Sequence, residues 1–241
     1  MIRDGYSQAM LTGGAESCLT PLALYSFGNM RALSAWKGDA SQASRPFDKE
    51  RTGFVMAEGA GIMVLERMDL AQKRGTHCYA EIIGYGDTCD AYHITAMHPE
   101  GFGATRAIQK ALLDGKINSD EIAYINAHGT GTPMNDAVET TVLKKVFSHH
   151  IDPATPNHIL VGSTKSMTGH MIGAAGGVEV GIAALALKHG IVPPTINLDN
   201  PDPACDLDYI LKEPRTISKP YALSNSFGFG GGNAVIALKK M

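Results

Sequence analysis

Between residues 78 and 240 segments of two different hydrophobic periods take turns, and nothing else in the chain restricts its fold as tightly. The runs CYAEIIGYGDT, EIAYINAHGT and HILVGS read as strands. The segments GATRAIQKALLDG, DAVETTVLKKVFS and HMIGAAGGVEVGIAALALKHG carry helical spacing, and YALSNSF and NAVIALKK close the chain as a pair of strands. Such alternation predicts an α/β architecture in which sheet layers are covered by helices.

Ahead of this unit, AMLTGGAES (9–17) predicts a short buried strand entering a glycine turn, and PLALYSFGNMRALS (21–34) a helix. SQASRPFDKERTG (41–53) reads as a polar loop, GFVMAEGAGIMVLER (53–67) as two strand segments joined at AEGAG, and MDLAQKRGT as a short helix ending at Gly75. The opening MIRD followed by Gly5 looks like the last turn of a helix with its C-cap, which suggests a preceding portion. A boundary near residue 78 divides the chain into an incomplete unit, 1–78, and a complete one, 79–241.

With 21 basic against 24 acidic residues and no basic stripe, the chain has no footprint for a nucleic-acid backbone. Cys18, Cys78, Cys89 and Cys205 form no CxxC pair and no disulfide framework, which fits a reducing, cytoplasmic-type compartment. MIRDGYSQ has no apolar run to make a signal peptide. The most apolar stretch, MIGAAGGVEVGIAALAL (171–187), is close to the shortest membrane span but carries Glu179 in its middle, so a buried helix is expected instead.

Function in open α/β sheets concentrates where strands end. Three such ends stand out: Asn126 and His128 after EIAYINAH, Lys165 and His170 in GSTKSMTGH, and the Phe/Gly turn of SFGFGGGN, which looks mobile. A glycine-rich entry to a helix can cradle phosphate, but Thr164 precedes Lys165 where a Walker motif needs glycine, and Leu160 holds the earlier glycine's place. His128, His170 and Asp136 could be nominated for a metal, yet they lack HxxxH or HExxH spacing. His149, His150, His158 and His189 read as solvated loop or helix-end residues. The third reading is an oxyanion site, with two neutral imidazoles aiming N–H groups at one developing negative oxygen and Lys165 adding field. Against it stands the ordinary role of a buried histidine, which is to satisfy a backbone carbonyl.

NAHGTGTPMND, GSTKSMTGHMIGAAGGVE and NSFGFGGGN together resemble the C-terminal half of the β-ketoacyl-acyl carrier protein synthases, elongating condensing enzymes of thiolase-like fold. GGAES, RPFDKERTGFVMAEGAGIMVLER, DAYHIT and VPPTINLDNPDPACDLDY extend the likeness over nearly the whole chain in the family's order, closest to the bacterial or organellar synthase II type. The resemblance implies a layered αβαβα fold with the N-terminal half incomplete. It implies that His128 and His170 assist decarboxylation of malonyl-acyl carrier protein and stabilise the enolate, with Lys165 beside them and Glu179 as its carboxylate partner. Asp136 would support the site, Thr130 and Thr132 would bind the phosphopantetheine arm, and Phe227 and Phe229 would line and gate the acyl chamber. It also implies acyl carrier protein as partner, a homodimer, no metal, and no resident cofactor because the carrier brings the phosphopantetheine.

Two departures qualify the likeness. The family's nucleophilic cysteine sits in a small-residue turn before a helix, and none of the four cysteines has that context, so no nucleophile is expected in this chain. Gly232 stands where the family usually has threonine, and Met134 and Asn135 where an aliphatic residue and glycine are common. The expected activity is therefore fatty-acid elongation chemistry that this chain cannot complete alone. The alternatives are a malonyl-thioester decarboxylase and a non-catalytic partner of a full synthase. Missing strands would also leave sheet edges and apolar surface exposed.

Overall fold

The computed structural model describes residues 1–241. In chain order its elements are β1 (Ala9–Glu16), α1 (Pro21–Asn29), β2 (Gly59–Glu66), α2 (Met68–Lys73), β3 (Ala80–Cys89), α3 (Phe102–Gly115), β4 (Ile122–Asn126) and α4 (Pro133–Phe147). There follow β5 (Leu160–Gly162), α5 (Lys165–Thr168), α6 (Ala175–His189), β6 (Ile191–Val192), β7 (Arg215–Thr216), β8 (Tyr221–Phe227) and β9 (Gly232–Lys240).

The main sheet has five strands in the order β3-β9-β8-β4-β5. β8, β4 and β5 run parallel, and β9 and β3 continue antiparallel. Both faces are covered, as the side-chain period of two requires. Ile125, Leu223 and Val235 pack with Ala107, Ile108 and Ala111 of α3 and Val142 and Leu143 of α4 in one cluster. Tyr124, Ala222 and Leu238 pack with Val180, Ala183 and Leu187 of α6 in the other. Parallel strands buried on both sides explain why IAYIN is apolar up to Asn126 and LVG throughout.

β1 and β2 form a separate antiparallel ribbon against the far side of α6. The approach is close enough to need glycine: a Cβ at Gly61 would lie 2.6 Å from the Gly177 carbonyl carbon, and one at Gly177 would lie 2.8 Å from Gly14 N. The layers are therefore α3 and α4, the five-stranded sheet, α6, and the ribbon, which are four layers of the αβαβα order. The segment Ile172–His189 is long and apolar enough to cross a membrane by composition. Here it is the central layer between two sheets, with Glu179 buried.

Several expectations need correction. β1 is not a buried strand, since Leu11 is exposed, as are Ile62 and Val64 on β2. α1 buries no residue fully. The start of the chain, by contrast, does carry the expected C-cap: Gly5 at φ 81° donates its N–H to Ile2 O at 3.1 Å, and Tyr6 N–H donates to Met1 O at 2.9 Å. Residues 53–58 make only isolated bridges, so β2 is a single strand. The polar loop at 41–53 lies largely inside: Arg45, Phe47, Asp48 and Arg51 are buried, with Arg45 paired to Asp48 and Arg51 to Asp136 and Asp202. His158 is not solvated, being 13% exposed, with Nε2 2.6 Å from Asp208 Oδ2. A charged segment can be buried when each charge meets a partner, which residue type alone does not reveal.

Candidate active site

The first wall of the site is the loop after β4. Gly129 turns it at φ 36°, and a Cβ there would lie 2.6 Å from Ser163 Cβ, so glycine is required for both reasons. Buried carboxylates on the first turns of α4 hold the loop from behind. Glu139 accepts the N–H groups of His128 at 2.9 Å and Gly129 at 2.8 Å. Asp136 accepts Gly131 N–H at 3.2 Å and Phe47 N–H at 2.8 Å. That second bond helps to keep Phe47 in a left-handed conformation, φ 65°, stacked 4.0 Å from Tyr209. Burial pushes both carboxyls up from the ordinary range, against the pull of these N–H donors. Thr132 caps α4, its Oγ1 accepting Asn135 N–H at 3.3 Å, with Pro133 starting the helix.

The second wall follows β5. Lys165, 1% exposed, donates to the His128 carbonyl at 2.7 Å and approaches His128 Nδ1 at 3.4 Å. It also pairs with Glu179 of α6. Burial raises the Glu179 carboxyl, with Lys165 pulling the other way. His170 is fixed by its N–H to Val55 O at 2.7 Å. Its Nδ1 accepts Ile172 N–H at 3.1 Å. Ile172 sits at φ 45°, costly for a β-branched residue, and the strain is spent on turning that N–H toward the ring.

These contacts assign both tautomers. Each histidine uses Nδ1 as an acceptor, from Lys165 in one case and Ile172 N–H in the other, so each neutral ring carries its proton on Nε2. The rings stand 5.4 Å apart, edge to face, and both line one cavity of about 440 Å³. Burial, then the Lys165 charge, drive His170 down to about 3 and hold His128 well below the usual imidazole value. Both are thus neutral donors near pH 7.

The cavity also takes in Thr130, Thr132, Asn135, Phe227 and Phe229. Rings run from its rim to its centre: Phe229 on Phe27 at 6.1 Å, Phe27 on Phe54 at 5.6 Å, and Phe54 on His170 at 5.2 Å. The Phe/Gly turn at this rim is tied rather than loose. Asp90 N–H donates to Gly231 O at 2.8 Å, Gly230 N–H to Ile94 O at 2.7 Å, and Asn233 Nδ2 to Asp90 Oδ1 at 2.8 Å.

No cysteine lines the cavity. Cys205 is buried in the core, where desolvation pushes its thiol up to about 11. Cys89 is exposed, with Sγ 3.6 Å from Gly230 O.

The family model "Beta-ketoacyl synthase, C-terminal domain" matches residues 79–199, and the corresponding N-terminal domain model matches residues 1–71. The chain belongs to the β-ketoacyl synthase family. The 3-oxoacyl-[acyl-carrier-protein] synthase 2 of Synechocystis sp. is 51% identical over 240 residues, and that of Staphylococcus aureus is 48% identical. In each case all of this chain aligns with 56% of the relative, so the chain spans little more than half the length of the curated relatives it matches. Among solved structures, a type II polyketide ketosynthase in complex with its acyl carrier protein aligns with TM-score 0.95 at 39% identity, covering all of this chain and 58% of that one. A β-ketoacyl synthase from Burkholderia phymatum aligns with TM-score 0.92 at 37% identity, covering all of this chain and 56% of that one. These neighbours share the thiolase-like fold expected from the motifs.

The structure brings together His128, His170, Lys165 and Glu179, with Thr130, Thr132, Phe227 and Phe229 around the same space. Asp136 stands behind the wall rather than in it. Glu139 escaped sequence reasoning, although its place three residues after Asp136 on one helix put both carboxylates on the same face. Ile172 N–H, Phe27 and Phe54 carried no signal. Beneath the site, Asn126 Oδ1, Ser224 Oγ and Glu179 Oε2 are buried without hydrogen-bond partners, and Asn126 and Ser224 are register neighbours on β4 and β8. Each is an oxygen that an ordered water could satisfy, and no three His, Cys, Asp or Glu side chains converge as zinc would require.

Proposed function

We propose that this chain carries the malonyl-decarboxylating part of a β-ketoacyl-acyl carrier protein synthase of fatty-acid elongation. The observation that carries the reading is that both histidines have Nδ1 occupied by a donor, so that two Nε2–H groups are available to one cavity. When a malonyl thioester occupies that cavity, the bond between its carboxylate and α-carbon breaks and carbon dioxide leaves. The electron pair passes through the α-carbon to the thioester oxygen. His128 and His170 donate to that oxygen without giving up their protons, a stabilisation of about 3–4 kcal/mol per donor when preorganised. Lys165 and Glu179 hold His128 in place, Thr130 and Thr132 take the phosphopantetheine arm, and Phe227 and Phe229 flank the acyl path.

Elongation needs one more step, attack of the enolate carbon on an acyl group held as a cysteine thioester, with the thiolate as leaving group. The position of the four cysteines supports a chain that decarboxylates but does not condense unless a nucleophile is supplied to it. Acyl carrier protein as the source of the malonyl group is supported by the solved complex of a related ketosynthase with its carrier. The fatty-acid assignment rests on the higher identity to 3-oxoacyl synthases than to the polyketide enzyme. Retention of both histidines and the lysine speaks against a non-catalytic partner.

The test is carbon dioxide release from malonyl-acyl carrier protein by the purified chain and by its His128→Ala, His170→Ala double variant. Release by the first and not the second is expected. Equal release overturns the proposal.

A further inference from the structure

The cavity rim carries a hydrogen-bonding group that no protein atom uses. Asn135, half-buried near the start of α4, lines the cavity beside Thr130 and Thr132. Its backbone N–H donates to Thr132 Oγ1 at 3.3 Å, and its Nδ2 donates to Asp136 Oδ1 at 3.2 Å. Asp136 Oδ1 also accepts Gly131 N–H at 3.2 Å, while Oδ2 accepts Phe47 N–H and lies 3.6 Å from Arg51 Nε. A carboxylate engaged in this way acts only as an acceptor. It therefore fixes the Asn135 carboxamide with its NH2 toward Asp136 and leaves the carbonyl Oδ1 free.

The neighbouring threonines supply the complementary group. Thr130 Oγ1 and Thr132 Oγ1 are 3.0 Å apart, so one hydroxyl donates to the other and the second retains an O–H for a ligand. One wall thus offers a donor and an acceptor together, as a secondary amide presents in reverse. An arm of plain alkyl thioester would leave Asn135 Oδ1 unpaired, at a cost.

We propose that Asn135 is a substrate-positioning residue that accepts an amide N–H of the pantetheine-type arm already assigned to Thr130 and Thr132. The inference rests on the reading of this cavity as a thioester-arm site and adds to it selection for an amide in the arm.

Pantetheine and an analogue with ester oxygen in place of the amide N–H distinguish the outcomes, with binding to the intact chain followed by NMR titration. The unaltered chain is expected to prefer the amide by about three- to tenfold, the scale of one net hydrogen bond. Asn135→Leu, of similar volume, is expected to lose that preference, with a lower thermal transition because Asp136 loses its Nδ2 donor. Asn135→Gly serves as a second variant. In carbon dioxide release from malonyl-pantetheine, Asn135→Leu should raise KM more than it lowers kcat. Equal amide preference in the chain and both variants overturns the role of Asn135 and leaves the cavity reading standing. No binding of pantetheine by the unaltered chain overturns both.

Discussion

Lys165 Nζ donates to the backbone carbonyl of His128 at 2.7 Å across the gap between two parallel strand ends. A lysine buried to 1% exposure is tolerable only with such partners, and the others are the His128 ring and Glu179. The bond joins the two motifs of the site into one unit, so a change at Lys165 should be felt at His128.

Lys165→Met leaves the Glu179 carboxylate buried without its cation. A destabilisation of about 3–5 kcal/mol is expected. Lys165→Met combined with Glu179→Leu should be less destabilised than the single variant, because no lone charge remains. Urea denaturation of the set gives the coupling; additive losses would contradict the pairing.

Glu139→Ala removes the acceptor for two backbone N–H groups, those of His128 and Gly129. The expected cost is about 1–3 kcal/mol for each buried donor left unpaired, with a loss of decarboxylation larger than for a surface substitution. Glu139→Gln keeps one acceptor oxygen and should fall between the two. Paired measurement of the thermal transition and of carbon dioxide release checks the order.

His170 is held near 3 by burial and the Lys165 charge, and His128 is shifted in the same direction. Neither ring should titrate between pH 8 and pH 5, which imidazole proton shifts in NMR can follow. In the unfolded chain both rings take up protons as pH falls through about 6.5. The unfolded state then binds more protons than the folded one, so stability should decline with acid from that point, and for His170 until about 3. A ring that titrates near 6.5 in the folded protein would contradict the assigned burial.

Asp208 is pushed up by burial, but hydrogen bonds from Arg215 and His158 outweigh this and hold it below the ordinary carboxylate range. A depressed carboxyl stabilises the fold above its unfolded value and loses that contribution as pH falls through the folded one. Asp208→Asn should cost about 2 kcal/mol at pH 7 and nothing once both forms are protonated. Stability curves of the two proteins should therefore converge only as pH falls through the depressed folded value.

Leu11, Ile62 and Val64 lie exposed on one ribbon, with Leu11 directly opposite Val64. Neighbouring apolar side chains on an open two-stranded edge favour association. Sedimentation should show self-association that Leu11→Lys weakens; a monomer at all concentrations would contradict it.

Periodicity made the covered sheet legible because its signal is local: β4 up to Asn126 and β5 are apolar on both faces, and α3 and α4 show helical spacing. It failed in the 41–53 segment. There Arg45, Asp48 and Arg51 read as solvent-facing, but Arg51 pairs with Asp136 and Asp202, and Asp48, the partner of Arg45, accepts the Asp199 and Asn200 N–H groups, all far along the chain. His158 was misread for the same reason, since Asp208 is fifty residues away.

The sequence alone determined the kinds of group present at the site and their order: two histidines, a lysine and a carboxylate at strand ends, in motifs that identify the family. Only the tertiary structure decided what those groups can do. The proton position on each imidazole depends on Lys165 Nζ and on a strained Ile172 N–H, and their neutrality depends on burial. Tautomer and charge are set by neighbours in space, and no residue type or spacing encodes them.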